Sequence, residues 1–248
     1  MHINKEYISP NFKDRQHPID MVVIHSTHIN AKDSLDRLCS KEAEVSCHYL
    51  IDLDGKVFQL VPENKVAYHA GVSYWDGREK LNLYSIGIEL VDTEEGGARI
   101  DNFPKIQMDS LMEILEGITQ RYTIPSFNIV AHSDIAPNRK DDPGENFPWG
   151  SLKNHGFGLF PKNEYGQENL YGFLTHIEDE GEGVIKIQTL LKEYGYKISV
   201  DGVFGNHTHD VVVAFKRHFD TRVINEVFDE VSLAILQEIC AKKSSILS

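Results

Sequence analysis

Two short apolar runs end in the same pair of residues: Val22-Val23-Ile24-His25-Ser26 and Ile129-Val130-Ala131-His132-Ser133. Compact runs of this kind read as buried strands. Such strands must be covered by other layers, which points to a sheet packed under helices. Each run leaves the core at an imidazole, and strand ends are where α/β sheets gather functional groups. A single histidine there is more often a satisfied core or surface group. Two at equivalent strand ends are harder to read that way, because neutral imidazole is the commonest metal ligand.

The rest of the first 150 residues fits the same architecture. Ser46–Ile51 and Lys56–Val61 are strand-like and joined by Asp52-Leu53-Asp54-Gly55, a hairpin signature in which Gly supplies positive φ. Ser85–Val91 reads as a further strand. Leu111, Ile114, Leu115 and Ile118 recur at helical spacing over Asp109–Tyr122, with Asp109 placed as a cap. The predicted class is α/β, a mixed central β-sheet flanked by helices.

Past Trp149 the periodicity fades, and the run Glu178-Asp179-Glu180-Gly181-Glu182-Gly183 reads as solvated linker. Downstream, three apolar stripes follow helical spacing. They are Val184/Ile187/Leu190/Leu191 closed by Gly195, Val211/Val212/Ala214/Phe215/Phe219, and Val231/Leu233/Ala234/Leu236/Ile239. This predicts a small three-helix bundle and a division into domains 1–177 and 178–248.

Charge narrows the partners. The chain carries 25 basic and 38 acidic residues, a formal net charge of −13. Residues 181–248 hold 8 basic and 9 acidic residues, a net of −1, so almost all the acidity lies upstream. A nucleic-acid partner would call for a basic face, so none is expected. No apolar run is long enough to span a membrane. The first ten residues lack the apolar segment of a secretory signal. Cys39, Cys47 and Cys240 match no disulfide framework or Cys-based zinc site, and read as core residues.

Immediately after the His132 strand comes a Pro- and Gly-bounded loop, Ala136-Pro137-Asn138-Arg139-Lys140-Asp141-Asp142-Pro143-Gly144. Two histidines and a carboxylate form a known catalytic zinc set. On composition alone, Asp141 and Asp142 read more readily as a solvated turn pair than as ligands. His28 is a second conceivable imidazole ligand.

The stretch His132 to Gly144 resembles the signature of zinc-dependent N-acetylmuramoyl-L-alanine amidases of the AmpD/AmiD branch (amidase type 2). The likeness recurs in Tyr68-His69-Ala70-Gly71-Val72-Ser73, in Ser85-Ile86-Gly87-Ile88-Glu89-Leu90 and in His48 to Gly55. Ser9-Pro10-Asn11 and Ile19 to His25 resemble the AmiD side of that branch. The motifs run in the family's order over residues 8–150. Asn138 departs from the Gly or Asp usual in the AmpD-type loop.

The resemblance implies one Zn2+ per chain on His25, His132 and Asp142, with Glu89 and Lys140 as catalytic residues. Glu89 would act as general base and then acid, and Lys140 would stabilise the oxyanion. His48 and His69 read equally as residues lining the substrate cleft or as imidazoles bonded to backbone or a carboxylate. Tyr74, Trp75 and Arg78 are expected to line that cleft, the aromatic loop suiting a sugar. The C-terminal motifs Ile185–Tyr196, Val200-Asp201-Gly202-Val203-Phe204-Gly205 and Val211–Lys216 resemble the peptidoglycan-binding type 1 module. His207 and His209 beside that turn suggest a second metal site at first sight, but with no third ligand nearby in sequence they read as a solvated helix start.

The implied function is hydrolysis of the amide between N-acetylmuramic acid, including its 1,6-anhydro form, and L-alanine of the stem peptide. Peptidoglycan and muropeptides are the expected partners, with the C-terminal module acting as a tether. A wall-binding module points to the cell envelope or periplasm; the missing signal points to cytoplasmic recycling of anhydro-muropeptides. A non-catalytic recognition protein on the same fold would lack the full ligand set.

Overall fold

The computed structural model describes residues 2–100, 102–162, 173–175, 179–222, 224–225 and 227–248. The chain divides into two compact units that interleave in sequence. The first comprises Met1–Val72, Lys80–His132 and Asp142–Gly158; the second comprises Ser73–Glu79, Ser133–Asp141 and Leu159–Ser248. The boundary expected at 177/178 lies outside the described residues.

A six-stranded mixed sheet organises the first unit. Its strands are β1 (Ile3–Asn4), β2 (Met21–Ser26), β3 (Tyr49–Ile51), β4 (Val57–Gln59), β5 (Ser85–Leu90) and β6 (Ile129–Ala131), in the spatial order β1-β4-β3-β5-β2-β6. Only β3 and β4 pair antiparallel, through the expected hairpin, with Gly55 at φ 81°. The other four pairings are parallel. Every residue of β2 is buried, as its unbroken apolar run requires.

Helix α1 (Ala31–Leu38) is capped by Asn30, whose side chain accepts from the Asp33 N–H, and lays Leu35 and Leu38 against Leu50, Phe58 and Val91. Helix α2 (Lys105–Arg121) begins a turn earlier than the periodicity suggests, after Pro104. Asp109 is therefore not its cap; it pairs with Lys105 one turn back, at 2.6 Å. The buried Gln107 amide ties the helix to the sheet by donating to the carbonyls of Ile51 and Val91.

The second unit contains the three predicted helices, α3 (Glu182–Tyr194), α4 (Asn206–Phe219) and α5 (Glu230–Leu247). Gly195 ends α3 at φ 143°, its N–H on the Leu191 carbonyl. The acidic run is not free linker from Asp179 onward. The Gly181 N–H bonds the Gly202 carbonyl, the Phe204 N–H bonds the Asp179 carbonyl, and Glu182 opens α3. Gln188 organises this turn, accepting from the Gly202 N–H at 2.9 Å and donating to Asp201 and Val203.

Candidate metal centre and active site

Register assembles the centre. Parallel pairing sets His25 of β2 opposite Glu89 of β5, and Ala131 of β6 opposite Ile24, so His132 follows one step on beside His25. Three chemically active side chains thus leave neighbouring strands at one level of the sheet's edge. Asp142 completes the group from the loop that returns after residue 141.

The distances are close. His25 Nδ1 lies 2.9 Å from His132 Nδ1, and Asp142 Oδ2 lies 3.2 Å from the first and 3.1 Å from the second. His25 and His132 are 1% and 4% exposed and Asp142 is 4% exposed, so water does little to separate them.

The surrounding hydrogen bonds fix where the protons are. Ser85 Oγ donates to the Leu81 carbonyl at 2.7 Å, which leaves it to accept from His69 Nε2 at 3.1 Å. His69 Nδ1 then accepts from His25 Nε2 at 3.0 Å, and a neutral His25 presents a bare Nδ1. His132 Nε2 faces the Ala70 carbonyl at 3.3 Å, an acceptor only, so a neutral His132 likewise presents a bare Nδ1. Burial, reinforced by the neighbouring imidazoles, holds His69 well below the usual imidazole range and keeps it neutral.

Asp142, 4% exposed beside these two nitrogens, is a carboxylate at neutral pH and offers Oδ2 only as an acceptor. Two imidazole lone pairs and one carboxylate oxygen therefore point into a common space. Such a set repels itself unless a cation occupies the middle. Tetrahedral bonds of ~2.0–2.1 Å would put ligand atoms ~3.3 Å apart, close to what is seen. His25, His132 and Asp142 thus fit a metal ion with two nitrogens and one oxygen.

Glu89 stands beside the group, Oε1 4.0 Å from His25 Nδ1, with its side chain 16% exposed. Gly87, two residues before it, is dictated by packing. A Cβ there would sit 2.3 Å from the His69 ring, so only glycine lets His69 lie flat on the strand between Ser85 and His25. A glycine within an apolar strand is a recognisable sign of close approach, and it marks a residue that motif reading passed over.

The expected substrate contacts are placed differently. His48 is fully buried and spent on backbone: Nδ1 accepts from the Gly87 N–H at 3.0 Å and Nε2 donates to the Lys65 carbonyl at 3.1 Å. Burial pushes it down to about 3, so it is a neutral structural imidazole rather than a cleft residue. His69 is held between Ser85 and His25 rather than facing a cleft. Trp75 is fully buried, edge-on to Tyr194 and Tyr196, with no face left for a sugar. Tyr74 and Arg78 are half-buried on the same hairpin, Tyr74 beneath Lys197 Nζ at 5.4 Å. Lys140 is half-buried two residues before Asp142, its N–H on the Ala136 carbonyl. His28 is exposed, its ring 3.8 Å from Asp92. His207 bonds the Lys197 carbonyl, and His209 lies beside Asp210.

The family model for N-acetylmuramoyl-L-alanine amidase, Amidase_2, matches residues 15–145, a span containing every residue of this centre. The chain belongs to the N-acetylmuramoyl-L-alanine amidase family. The amidase AmiD of Escherichia coli is 36% identical over 235 residues, covering 90% of this chain and 83% of that protein. The 1,6-anhydro-N-acetylmuramyl-L-alanine amidase AmpD of Enterobacter cloacae is 44% identical over 105 residues, 42% of this chain and 54% of its own length. Solved structures of the family agree in fold. E. coli AmiD in complex with anhydro-N-acetylmuramic acid-L-Ala-D-gamma-Glu-L-Lys superposes with TM-score 0.75 at 34% identity, over 90% of this chain and 89% of that one. AmpDh3 of Pseudomonas aeruginosa with an anhydromuramic pentapeptide gives 0.77 at 28% identity, over 91% and 92%. A second family model, for a type 1 peptidoglycan binding domain, matches residues 180–223 of this amidase. Among the described residues no helix is long and apolar enough to cross a membrane.

Proposed function

We propose that this amidase uses zinc on His25, His132 and Asp142 to hydrolyse the amide joining N-acetylmuramic acid to L-alanine, with anhydro-muropeptides among its substrates. The convergence of two bare imidazole nitrogens and a buried carboxylate oxygen, beside Glu89, carries this reading. The donor set matches catalytic zinc sites with two histidines and a carboxylate. Bound zinc supplies Lewis-acid polarisation of the carbonyl and acidification of water. Glu89 takes the proton from the attacking water and delivers it to the departing alanine nitrogen. Its position on a rigid strand, paired in register with His25, holds its carboxylate beside the reacting atoms. Lys140 contributes positive charge toward the developing oxyanion. Tyr74 and Arg78 remain the surface side chains of the aromatic hairpin available to substrate.

The likeness of residues 180–223 to a peptidoglycan binding domain supports attachment to the polymer and work in the cell envelope. The purified chain is expected to release stem peptide with a free L-alanine amine both from soluble anhydro-muropeptides and from intact sacculi. Mass spectrometry of the products decides it. Cleavage elsewhere in the peptide, or no cleavage of either substrate, would overturn the assignment.

A further inference from the structure

Two stretches of chain, 73–79 and 133–141, leave the β/α unit, belong to the helical unit, and return. Both are continuous with the metal centre. The first begins three residues after Ala70, whose carbonyl accepts from His132, and four after His69. The second is bounded by His132 on one side and Asp142 on the other. Two ligands are therefore the ends of one segment that the helical unit holds.

Asp134 anchors that segment. Its side chain is wholly buried, and each carboxylate oxygen has its own donor: the Tyr196 hydroxyl at 2.6 Å on Oδ1 and His218 Nδ1 at 2.7 Å on Oδ2. Burial and the adjacent Asp134 push the Tyr196 phenol well above its ordinary range, so it stays a donor. The His218 ring is fixed in turn, stacked 3.9 Å from Phe219. Tyr196 also serves the first stretch, its ring meeting Trp75 at 5.0 Å. The neighbouring Asp76 N–H bonds the Gly195 carbonyl, and Lys243 Nζ bonds Asp76 Oδ1 at 2.7 Å.

We propose that His218 and Tyr196 are positioning residues for the metal centre, acting through Asp134 on the segment that carries His132 and Asp142. Asp134 lies in the single helical turn His132–Ile135, so a shift of its carboxylate turns the backbone that aims the His132 ring. A carboxylate buried this deeply cannot give up its donors without moving, because unpaired burial of its charge is too costly. The helical unit is then part of the catalytic apparatus, which a tether alone is not. The inference rests on the zinc reading above.

The test uses the full chain, with zinc affinity from chelator competition, kcat and KM on a soluble anhydro-muropeptide, and circular dichroism to establish folding. Loss of a partner that orients a ligand typically costs ~10–100-fold in metal affinity or activity, and one step further out about tenfold is expected for His218→Leu. The loss should fall on zinc affinity and kcat, with KM little changed. His218→Asn, which keeps an N–H near the position of Nδ1, should recover most of it. Tyr196→Phe should move both quantities the same way by less. Wild-type protein that holds no zinc overturns the metal reading and this inference with it. Wild-type protein that binds zinc, alongside a folded His218→Leu of equal affinity and kcat, overturns the positioning role alone. Should His218→Leu fail to fold, Tyr196→Phe decides by the same two measurements, since it removes a single oxygen.

Discussion

His132 and Asp134 are two residues apart in sequence, yet they belong to two buried clusters of imidazole and carboxylate that are built in opposite ways. Around Asp134 the polar groups are complementary. One oxygen takes a phenol, the other an imidazole N–H, and the negative charge is met from both sides. Around Asp142 they are redundant. A single oxygen faces two ring nitrogens whose protons point away, to His69 and to the Ala70 carbonyl. The first arrangement meets both oxygens of Asp134 and so holds that carboxylate in place. The second is three donors of electron pairs around one space, an arrangement that a cation would stabilise. Residue type alone does not separate the two; the direction of each proton does.

The contrast can be broken most sharply at Asp142. Asp142→Ala is expected to abolish both zinc retention and turnover, measured by metal analysis after dialysis and by peptide release, while the circular dichroism spectrum stays native. A variant that kept stoichiometric zinc would remove Asp142 from the ligand set. Next in size is Glu89→Ala. It should leave zinc bound and lower turnover by ~10²–10⁴, the usual contribution of a general acid–base group. A loss below about tenfold in the metal-loaded variant would take the proton-transfer role from Glu89. A smaller effect is expected of Gly87→Ala, which touches neither metal nor substrate. The added methyl displaces the His69 ring, so zinc affinity should fall by ~10–100-fold, as when other supports of metal-bound histidines are removed. Unchanged affinity would mean that His25 does not need His69 to aim it. Smallest is His28→Ala, a change at an exposed side chain expected to leave zinc stoichiometry, read by metal analysis, and turnover alone.

Much of this was legible in the residues. The strand runs ending at His25 and His132, the Asp54-Gly55 hairpin and the helical stripes past Val184 are local patterns, and each formed where its period placed it. The ligand candidates were visible as types at strand ends, but the choice of Asp142 over Asp141 came from likeness to the amidases. Asp109 illustrates the limit of local rules. It suits a helix cap, yet α2 starts earlier because Gln107 and Met108 gain burial by extending the helix toward the sheet. Trp75 is a second case. An aromatic on an Asp-Gly turn looks like a surface contact until Tyr194 and Tyr196, over a hundred residues away, enclose it.

The sequence by itself determined much of the inventory: the central strands, the hairpin, most of α2 and the three helices past Val184, the mixed α/β class, and the residues able to bind a metal. Those follow from hydrophobic period and side-chain chemistry, which act over a few neighbours in the chain. Tertiary structure alone decided the rest. Parallel register set Glu89 beside His25, and a chain of hydrogen bonds running from the Leu81 carbonyl through Ser85 and His69 bared the His25 nitrogen. Burial of Trp75 and Asp134 assigned residues 73–79 and 133–141 to the helical unit. The physical reason is range. Register, proton direction and enclosure depend on partners distant in sequence, so no local pattern encodes them.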